Sequence, residues 1–478
     1  MGQQSERAEG ALVVSVDERR RTKPGKSFAR PAASDRGGGD GTPGLAARKA
    51  AARLLAAVID AHTSLDGLTD HDHGHPQFRA LDMRDRGLVR AILVTALRYR
   101  RTIGNLVSAR LERPLPANAT ALSHILHVAA AQILFLDIPD SAAVDLAVTH
   151  AKTDPRTARF SGLVNGVLRA IARGKGSELP AMLATTQDAP DWFAARLADA
   201  YGVGTASRIL NIQRIEAPVD FTVKSDPGGW AQKLGGIVLP TGSVRVSRLP
   251  ADVPALPGFA EGAWWVQDAA AALPARLFGD VAGLHVADLC AAPGGKTAQL
   301  LAAGARVTAI DSSKNRLARL EQNLTRLGLS AKTVQADILR FEPEELFDAV
   351  LLDAPCSSTG TVRRHPDVPW TKTPEDIAKL ADLQGRLLAR AASLVKPGSR
   401  IVFSNCSLDP LEGEEMHAAF LTTPGIVDDP VRPGEFPGLD PFLTPQGTLR
   451  TTPADMDMGS PELSGLDGFF AARLRRAG

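Results

Sequence analysis

Asp288-Leu289-Cys290-Ala291-Ala292-Pro293-Gly294-Gly295-Lys296-Thr297 follows the apolar run Leu284 to Leu289 and opens a stretch of helical periodicity. A strand that turns into a helix through paired glycines is the entry to an α/β sheet, because glycine lets backbone pass close to a ligand where side chains would block it. Further apolar runs at Val307 to Ile310, Ala349 to Leu352 and Ile401 to Ser404 are each separated by helical segments. The pattern predicts a doubly wound, Rossmann-like sheet from about residue 261 onward. In such sheets ligands bind outside the carboxyl ends of the strands.

The residues just past those strand ends are therefore the ones to read for chemistry. Gly294-Gly295-Lys296-Thr297 invites comparison with a phosphate-binding P-loop, but that loop needs glycine at the position held by Cys290. Asp311 ends the second strand about 16 residues beyond Gly295, near the spacing at which an acid meets ribose hydroxyls in dinucleotide folds. Asp337 follows the third strand, placed for an adenine edge, and Asp353 ends the fourth. Each aspartate alone could equally be a helix N-cap, whereas three in succession beside a Gly-Gly loop point to a bound ligand. The fourth strand runs into Asp353-Ala354-Pro355-Cys356-Ser357-Ser358-Thr359-Gly360, and the fifth into Phe403-Ser404-Asn405-Cys406-Ser407-Leu408. Two thiols at adjacent strand ends, over one crevice and beside Asp and Ser, read as reactive groups rather than packing.

Upstream the character changes. Residues 1–44 are rich in Arg, Gly, Ser and Pro without hydrophobic period, and are expected to form a disordered tail. From Leu45 to about residue 175, apolar residues recur at helical spacing, as in Leu54, Leu55, Val58 and Ile59, predicting an all-α domain. Residues 176–260 mix one helical stretch, Trp192 to Leu210, with short runs such as Val219 to Val223 and Val244 to Val246, and are read as a small α/β connector. Residues 261–478 then form the α/β domain. The alternating Asp70-His71-Asp72-His73-Gly74-His75 is not a recognised zinc spacing and reads as a solvated loop, so no metal site is expected.

Composition narrows the class without choosing within it. Among 478 residues, 55 Lys and Arg face 53 Asp and Glu, so net charge neither requires nor excludes a nucleic-acid partner. No apolar run approaches the roughly 18 residues of a membrane span, and the start lacks a secretory pattern, so a cytoplasmic protein is expected. Three cysteines, Cys290, Cys356 and Cys406, cannot build a disulfide framework in a chain of this length.

Taken together, Asp-Ala-Pro-Cys, Ser-Asn-Cys-Ser-Leu, Ala-Ala-Pro-Gly-Gly-Lys-Thr, Val266-Gln267-Asp268 and Asp467-Gly468-Phe469-Phe470 resemble the RsmB/Sun family of RNA cytosine-5 methyltransferases. Asp82-Met83-Arg84-Asp85-Arg86-Gly87-Leu88-Val89, Gln132 to Pro139 and Val164 to Arg169 likewise resemble the NusB-like RNA-binding domain that distinguishes the bacterial ribosomal RNA members. The resemblance implies S-adenosylmethionine as cofactor, held by Cys290, Ala291, Ala292, Pro293, Gly294, Gly295, Lys296, Asp311, Asp337 and Asp353. It implies Cys406 as nucleophile, Cys356 as the group assisting release, and Asp353 and Lys296 as contacts to the cytosine. RNA, and within it small-subunit ribosomal RNA, is the implied partner of a monomeric enzyme. Arg363, Arg364 and His365 are expected at its phosphates, with Arg98, Arg100, Arg101 and Arg110 as candidates on the helices. One departure is Asn405, where the family usually has threonine before the nucleophile. Two other functions fit the same motifs: transfer RNA as the substrate, or an RNA-binding antitermination factor whose methyltransferase half is inert.

Overall fold

Apolar residues at helical spacing fold into the helices Leu45–Ala61, Met83–Arg98, Thr120–Phe135, Asp140–Thr153 and Ser161–Thr185. A computed structural model of the chain describes residues 42–478, so nearly all of the expected tail at 1–44 lies outside the described residues. Asp82 caps the second of these helices by accepting from the Asp85 amide at 2.8 Å. Thr120–Phe135 is apolar almost all round and lies at the centre, with Ile125, Leu126 and even Gln132 buried. Leu54, Leu55, Ile92, Leu93 and Leu168 close one core around it. Each such side chain contributes about 1.5–3 kcal/mol by leaving water.

Ser161–Thr185 runs through the expected boundary at 175–176, because its apolar period ends earlier than its hydrogen bonds do. A further helix, Asp191–Ile212, bends at Gly202, whose φ of 75° only glycine adopts freely. Four short strands follow: β1 (Val219–Val223), β2 (Ile237–Val238), β3 (Val244–Val246) and β4 (Trp264–Val266). They form an antiparallel sheet in the order β2-β3-β1-β4. Its edge strand β4 therefore comes from beyond residue 260, drawn in by Trp264, which packs edge-on against Phe221 at 4.7 Å.

The remaining strands are β5 (His285–Leu289), β6 (Arg306–Asp311), β7 (Lys332–Gln335), β8 (Phe347–Asp353), β9 (Val395–Asn405), β10 (Ile426–Asp428), β11 (Leu449–Thr451) and β12 (Phe469–Arg476). They make one sheet in the order β10-β12-β9-β8-β5-β6-β7, with β11 on β12. β5 to β9 pair in parallel and β12 runs antiparallel to β9. This is the expected doubly wound sheet. Two register facts matter for chemistry. Asp353 lies opposite Ser404 across β8 and β9, so the segments that follow leave the sheet side by side. Phe470 lies opposite Asn405, so Asp467 to Phe469 arrive at the same edge from the other direction. Among the described residues no helix is long and apolar enough to cross a membrane.

Candidate active site

Cys356 Sγ and Cys406 Sγ stand 3.4 Å apart at the ends of β8 and β9. Both are partly exposed. The hydrogen bond from Cys356, helped by Ser358, holds the Cys406 thiol below the usual range against the opposing effect of burial. The same contact, together with burial, pushes the Cys356 thiol well above it. Two thiols this close titrate as a pair. Either sulfur can donate to the other at this distance, and the two opposite shifts favour the negative charge on Cys406.

Lys296 enters from the first turn of the helix Gly295–Ala302 and donates to Asp353 Oδ2 at 2.7 Å. Ser404 Oγ donates to Asp353 Oδ1 at 2.9 Å, which fixes the plane of the carboxylate. The Lys296 ammonium also lies 4.9 Å from the centroid of the Phe469 ring, a cation–π contact that holds the ring at the site. A cavity of about 510 Å³ opens here, bordered by Asp288, Lys296, Asp353, Cys406 and Phe469. Ala291, Ala292, Pro293, Gly294 and Gly295 form another wall of it.

The glycine loop is built for close approach. Gly294 has a φ of 101°, and a Cβ there would meet Leu320 at 2.8 Å, while one on Gly295 would reach ordinary contact with the Gln267 side chain at 3.4 Å. Beneath the loop, Asp288 is buried at the end of β5, where burial pushes its carboxyl up to about 7. Its Oδ2 accepts from Thr297 Oγ1 at 2.5 Å, while Oδ1 is buried with no partner, and the residue lines the cavity. Asp311 is buried one strand over, accepting from the Ser313 amide at 2.9 Å and the Ala292 amide at 3.3 Å. Arg316 stands 3.4 Å from it. Asp337 is exposed and accepts from the Leu339 amide at 3.1 Å, the N-cap role that any strand-end aspartate can fill. Cys290, Asp311, Asp337 and Cys356 do not border the cavity. Burial pushes the Cys290 thiol up to about 12.

The basic segment after Cys356 departs from expectation. Arg363 is wholly buried and donates to the Ser464 carbonyl at 2.9 Å, so it cannot meet phosphates. Arg364 is spent on Asp268 at 2.7 Å and Asp467 at 3.2 Å. His365 pairs with Asp66 of the helical region at 3.1 Å. Charge in sequence suggested a solvated patch, but each side chain meets a carboxylate or carbonyl that lies far along the chain. On the helices, Arg98 donates to the Arg363 carbonyl at 2.9 Å and Arg100 stacks over Trp370, so these two also face inward. Arg101 and Arg110 pair with Asp191 and Glu178.

Sequence reasoning missed several residues at the site. Asp288 lay inside the quoted loop but carried no assigned role. Asp268 and Asp467 stood in motifs without a partner; here Arg364 clamps both, and burial beside Asp268 pushes Asp467 up to about 7. Gln267, just after β4, accepts from Trp265 Nε1 at 2.7 Å and Thr222 Oγ1 at 2.9 Å and donates to Gln299 Oε1 at 2.8 Å on the helix that the glycine loop opens. Asn405 donates to the Glu412 carbonyl at 2.6 Å and accepts from the Ser407 amide at 3.0 Å. That pair of bonds on either side of the nucleophile uses both ends of an amide, which a threonine hydroxyl could not span.

Residues 281–475 match the family described as 16S rRNA methyltransferase RsmB/F, and residues 45–173 match the NusB family. Ribosomal RNA small subunit methyltransferase B of Salmonella typhi is 32% identical over 453 residues, covering 89% of this chain and 98% of that protein. The protein of the same name from Vibrio cholerae serotype O1 is 35% identical over 411 residues, covering 81% and 92%. The crystal structure of NSun6 from Pyrococcus horikoshii with SFG shares the fold, with a TM-score of 0.50, 20% identity and coverage of 60% of this chain and 98% of that one. The cofactor of such a methyltransferase is S-adenosylmethionine. The residues present fit it: a loop whose paired glycines, Gly294 and Gly295, bare its backbone, an unpartnered buried carboxylate oxygen on Asp288, and further carboxylates that suit a cationic sulfonium and ribose hydroxyls. With its NusB-like helices and its RsmB/F catalytic half, the chain belongs to the family of ribosomal RNA small subunit methyltransferase B.

Proposed function

We propose that the protein methylates carbon 5 of a cytosine in small-subunit ribosomal RNA through a covalent cycle of two cysteines. The observation that carries this reading is the 3.4 Å contact between Cys356 and Cys406, with Cys406 facing the cavity. Carbon 5 of cytosine is a weak nucleophile, and a thiolate adding at carbon 6 converts the ring to an enamine that is strong at carbon 5. Cys406 makes that bond. S-adenosylmethionine, when bound, supplies the electrophilic methyl group, and residues 290–296, Asp311, Asp337 and Asp353 hold it. Asp353 accepts from the exocyclic amine, and Lys296 steadies the base.

Addition consumes the charge on Cys406, which removes the largest of the effects that keep Cys356 protonated and leaves burial as the remaining one. Cys356 then loses its proton to water and, as thiolate, takes the proton from methylated carbon 5. The electrons of that C–H bond restore the ring double bond and expel Cys406 as thiolate. The pair thus ends as it began, with one proton on Cys356.

Residues 45–175 supply RNA affinity, 176–260 connect, and 261–478 carry the chemistry, in a cytoplasmic enzyme acting as a monomer. The test is a pair of variants incubated with labelled cofactor and RNA. Cys406→Ala transfers no methyl and forms no adduct. Cys356→Ala attacks and methylates but accumulates a protein–RNA adduct that survives denaturing electrophoresis. An adduct in Cys406→Ala instead would reverse the roles, and no adduct with full activity in both would end the covalent reading. Labelling of ribosomal RNA against transfer RNA in the same assay identifies the substrate.

A further inference from the structure

Behind the two thiols lies a wholly buried carboxylate that the cycle above does not use. Glu412 follows β9 in the loop before the helix Glu414–Phe420 and is 0% exposed. Its Oε1 accepts from the Ser357 amide at 2.9 Å and from Gln384 Nε2 at 2.9 Å. Its Oε2 accepts from Ser357 Oγ at 2.5 Å. The same Gln384 nitrogen reaches the Pro355 carbonyl at 3.0 Å, so the residues on both sides of Cys356 are held. The main-chain carbonyl of Glu412 accepts from Asn405 Nδ2 at 2.6 Å, and Asn405 Oδ1 accepts from the Ser407 amide. The residues on both sides of Cys406 are held as well. Ser407 Oγ closes the ring through Ser357 Oγ at 3.1 Å and Thr359 Oγ1 at 3.2 Å.

A buried carboxylate bonded only to neutral donors is an expensive way to join two loops. Apolar packing would join them at less cost but would leave their separation free to drift. Three donors converging on two oxygens fix distance and direction instead. Burial also pushes the Glu412 carboxyl up, against the pull of the Ser357 bonds.

We propose that Glu412 is a positioning residue that clamps the two cysteine-bearing loops and thereby sets the Sγ–Sγ separation on which their proton exchange depends. The proposal rests on the two-cysteine reading above. A clamp of this kind acts on turnover and on the titration of Cys406, and leaves the cofactor wall and the RNA surface untouched. A misplacement of about 1 Å can cost on the order of 100-fold in rate.

The experiment compares E412A, E412Q and S357A with the wild-type full chain and with C406A. Four quantities are measured: kcat, KM for RNA, S-adenosylmethionine affinity by calorimetry, and the pH midpoint of Cys406 alkylation by iodoacetamide, followed peptide by peptide in mass spectra. E412A is expected to lower kcat about 30–100-fold with KM and cofactor affinity within twofold, and to move the Cys406 midpoint upward. E412Q, which keeps an oxygen for the Ser357 amide and Gln384, recovers most of both. Unchanged kcat in E412A overturns the proposal, and so does a loss of kcat with the midpoint unmoved, since a merely structural role predicts that. If E412A loses cofactor binding and hence its fold, S357A decides: a several-fold loss of kcat with an upward midpoint supports the clamp, and no change sinks it. C406A separates the two layers of argument. An active C406A ends the two-cysteine reading itself, whereas an inactive C406A beside an unimpaired E412A ends only the role of Glu412.

Discussion

Replacing Lys296 by methionine keeps the length of the side chain and removes its charge, which isolates what that charge does. At 2.7 Å from Asp353 the gross attraction is about 6 kcal/mol at an effective dielectric of about 20. Lys296 is 9% exposed and Asp353 31%, so solvent screening and the desolvation of both ions reduce the net cost of breaking the pair to roughly 2–3 kcal/mol. The catalytic effect is separate. The Cys356 hydrogen bond is the main reason the Cys406 thiol sits below its usual range, with Lys296 pulling the same way and Asp353 opposing it. Removing the cation leaves Asp353 unopposed, so the Cys406 titration moves up. Activity rises with pH as the thiolate forms, so the acid limb of the rate profile moves to higher pH and the loss is larger at pH 6 than at pH 8.5. On that limb the rate falls about tenfold for every pH unit by which the midpoint rises. With the contact to the base lost as well, kcat falls roughly 100-fold or more at neutral pH. Pairing K296M with D353N distinguishes the two costs, because the double variant removes the orphaned charge and regains stability in urea while activity stays low. A K296M enzyme with kcat within threefold of wild type and an unmoved pH limb would refute the reasoning, as would recovery of activity in the double variant.

Two further outcomes follow from buried carboxylates. Asp311→Ala removes an ionic acceptor proposed for the ribose hydroxyls, and at about 1.5–3 kcal/mol for such a bond S-adenosylmethionine affinity drops roughly 10–100-fold by calorimetry; equal affinity takes Asp311 out of the site. Asp220→Ala strands Arg245, its partner at 2.7 Å with both side chains fully buried, and costs about 3–5 kcal/mol in chemical unfolding; a loss below about 1 kcal/mol would show that the Leu463 and Gly465 carbonyls suffice to hold the guanidinium.

The parts of the site that were legible in sequence are those written in local signals. A strand period broken by Gly294-Gly295, and acids or thiols directly after apolar runs, locate the crevice without any long-range information. The helical core was legible for the same reason, since period alone puts Leu54, Leu55 and Val58 on one face. What was not legible depends on partners distant in the chain. Arg363 and Arg364 read as a basic patch because nothing local says that Ser464, Asp268 and Asp467 will converge on them. Glu412 looks like any surface glutamate before a helix; only the register of β8 against β9 makes it the joint of both cysteine loops. The place of Trp264 was illegible for the same reason, since it is recruited to a sheet whose other strands precede it.

That misread basic segment also bears on what the helical region contributes. A domain tethered by a linker raises the local concentration of what it binds and does nothing for its register. Here the helices are joined to residues 363–371 at several points. The Leu65 amide donates to Asp367 at 2.9 Å, His62 meets the Trp370 carbonyl at 3.0 Å, and Arg100 covers the Trp370 ring. Elsewhere, Asp70 pairs with Arg319 on the helix Lys314–Arg326, whose Leu320 packs under Gly294. The His365–Asp66 pair adds a contact that depends on the histidine charge. Burial alone would lower the His365 pKa, but the hydrogen bond and charge of Asp66 outweigh it and raise it. Its contribution is therefore complete below the unfolded histidine range and is lost as pH climbs through the raised value. With Asp66 71% exposed, that contribution stays under about 1 kcal/mol. The backbone bond to Asp367 and the cover over Trp370 need no histidine charge, so the joint outlasts the titration. Residues 363–371 begin two positions after the Thr359–Thr361 turn, where Thr359 bonds the Leu408 amide and Gly360 bonds the Cys406 carbonyl. In the proposed reaction, RNA held by the helices is thus presented at a fixed distance from the thiols, through a chain of bonds that ends on the nucleophile's own backbone.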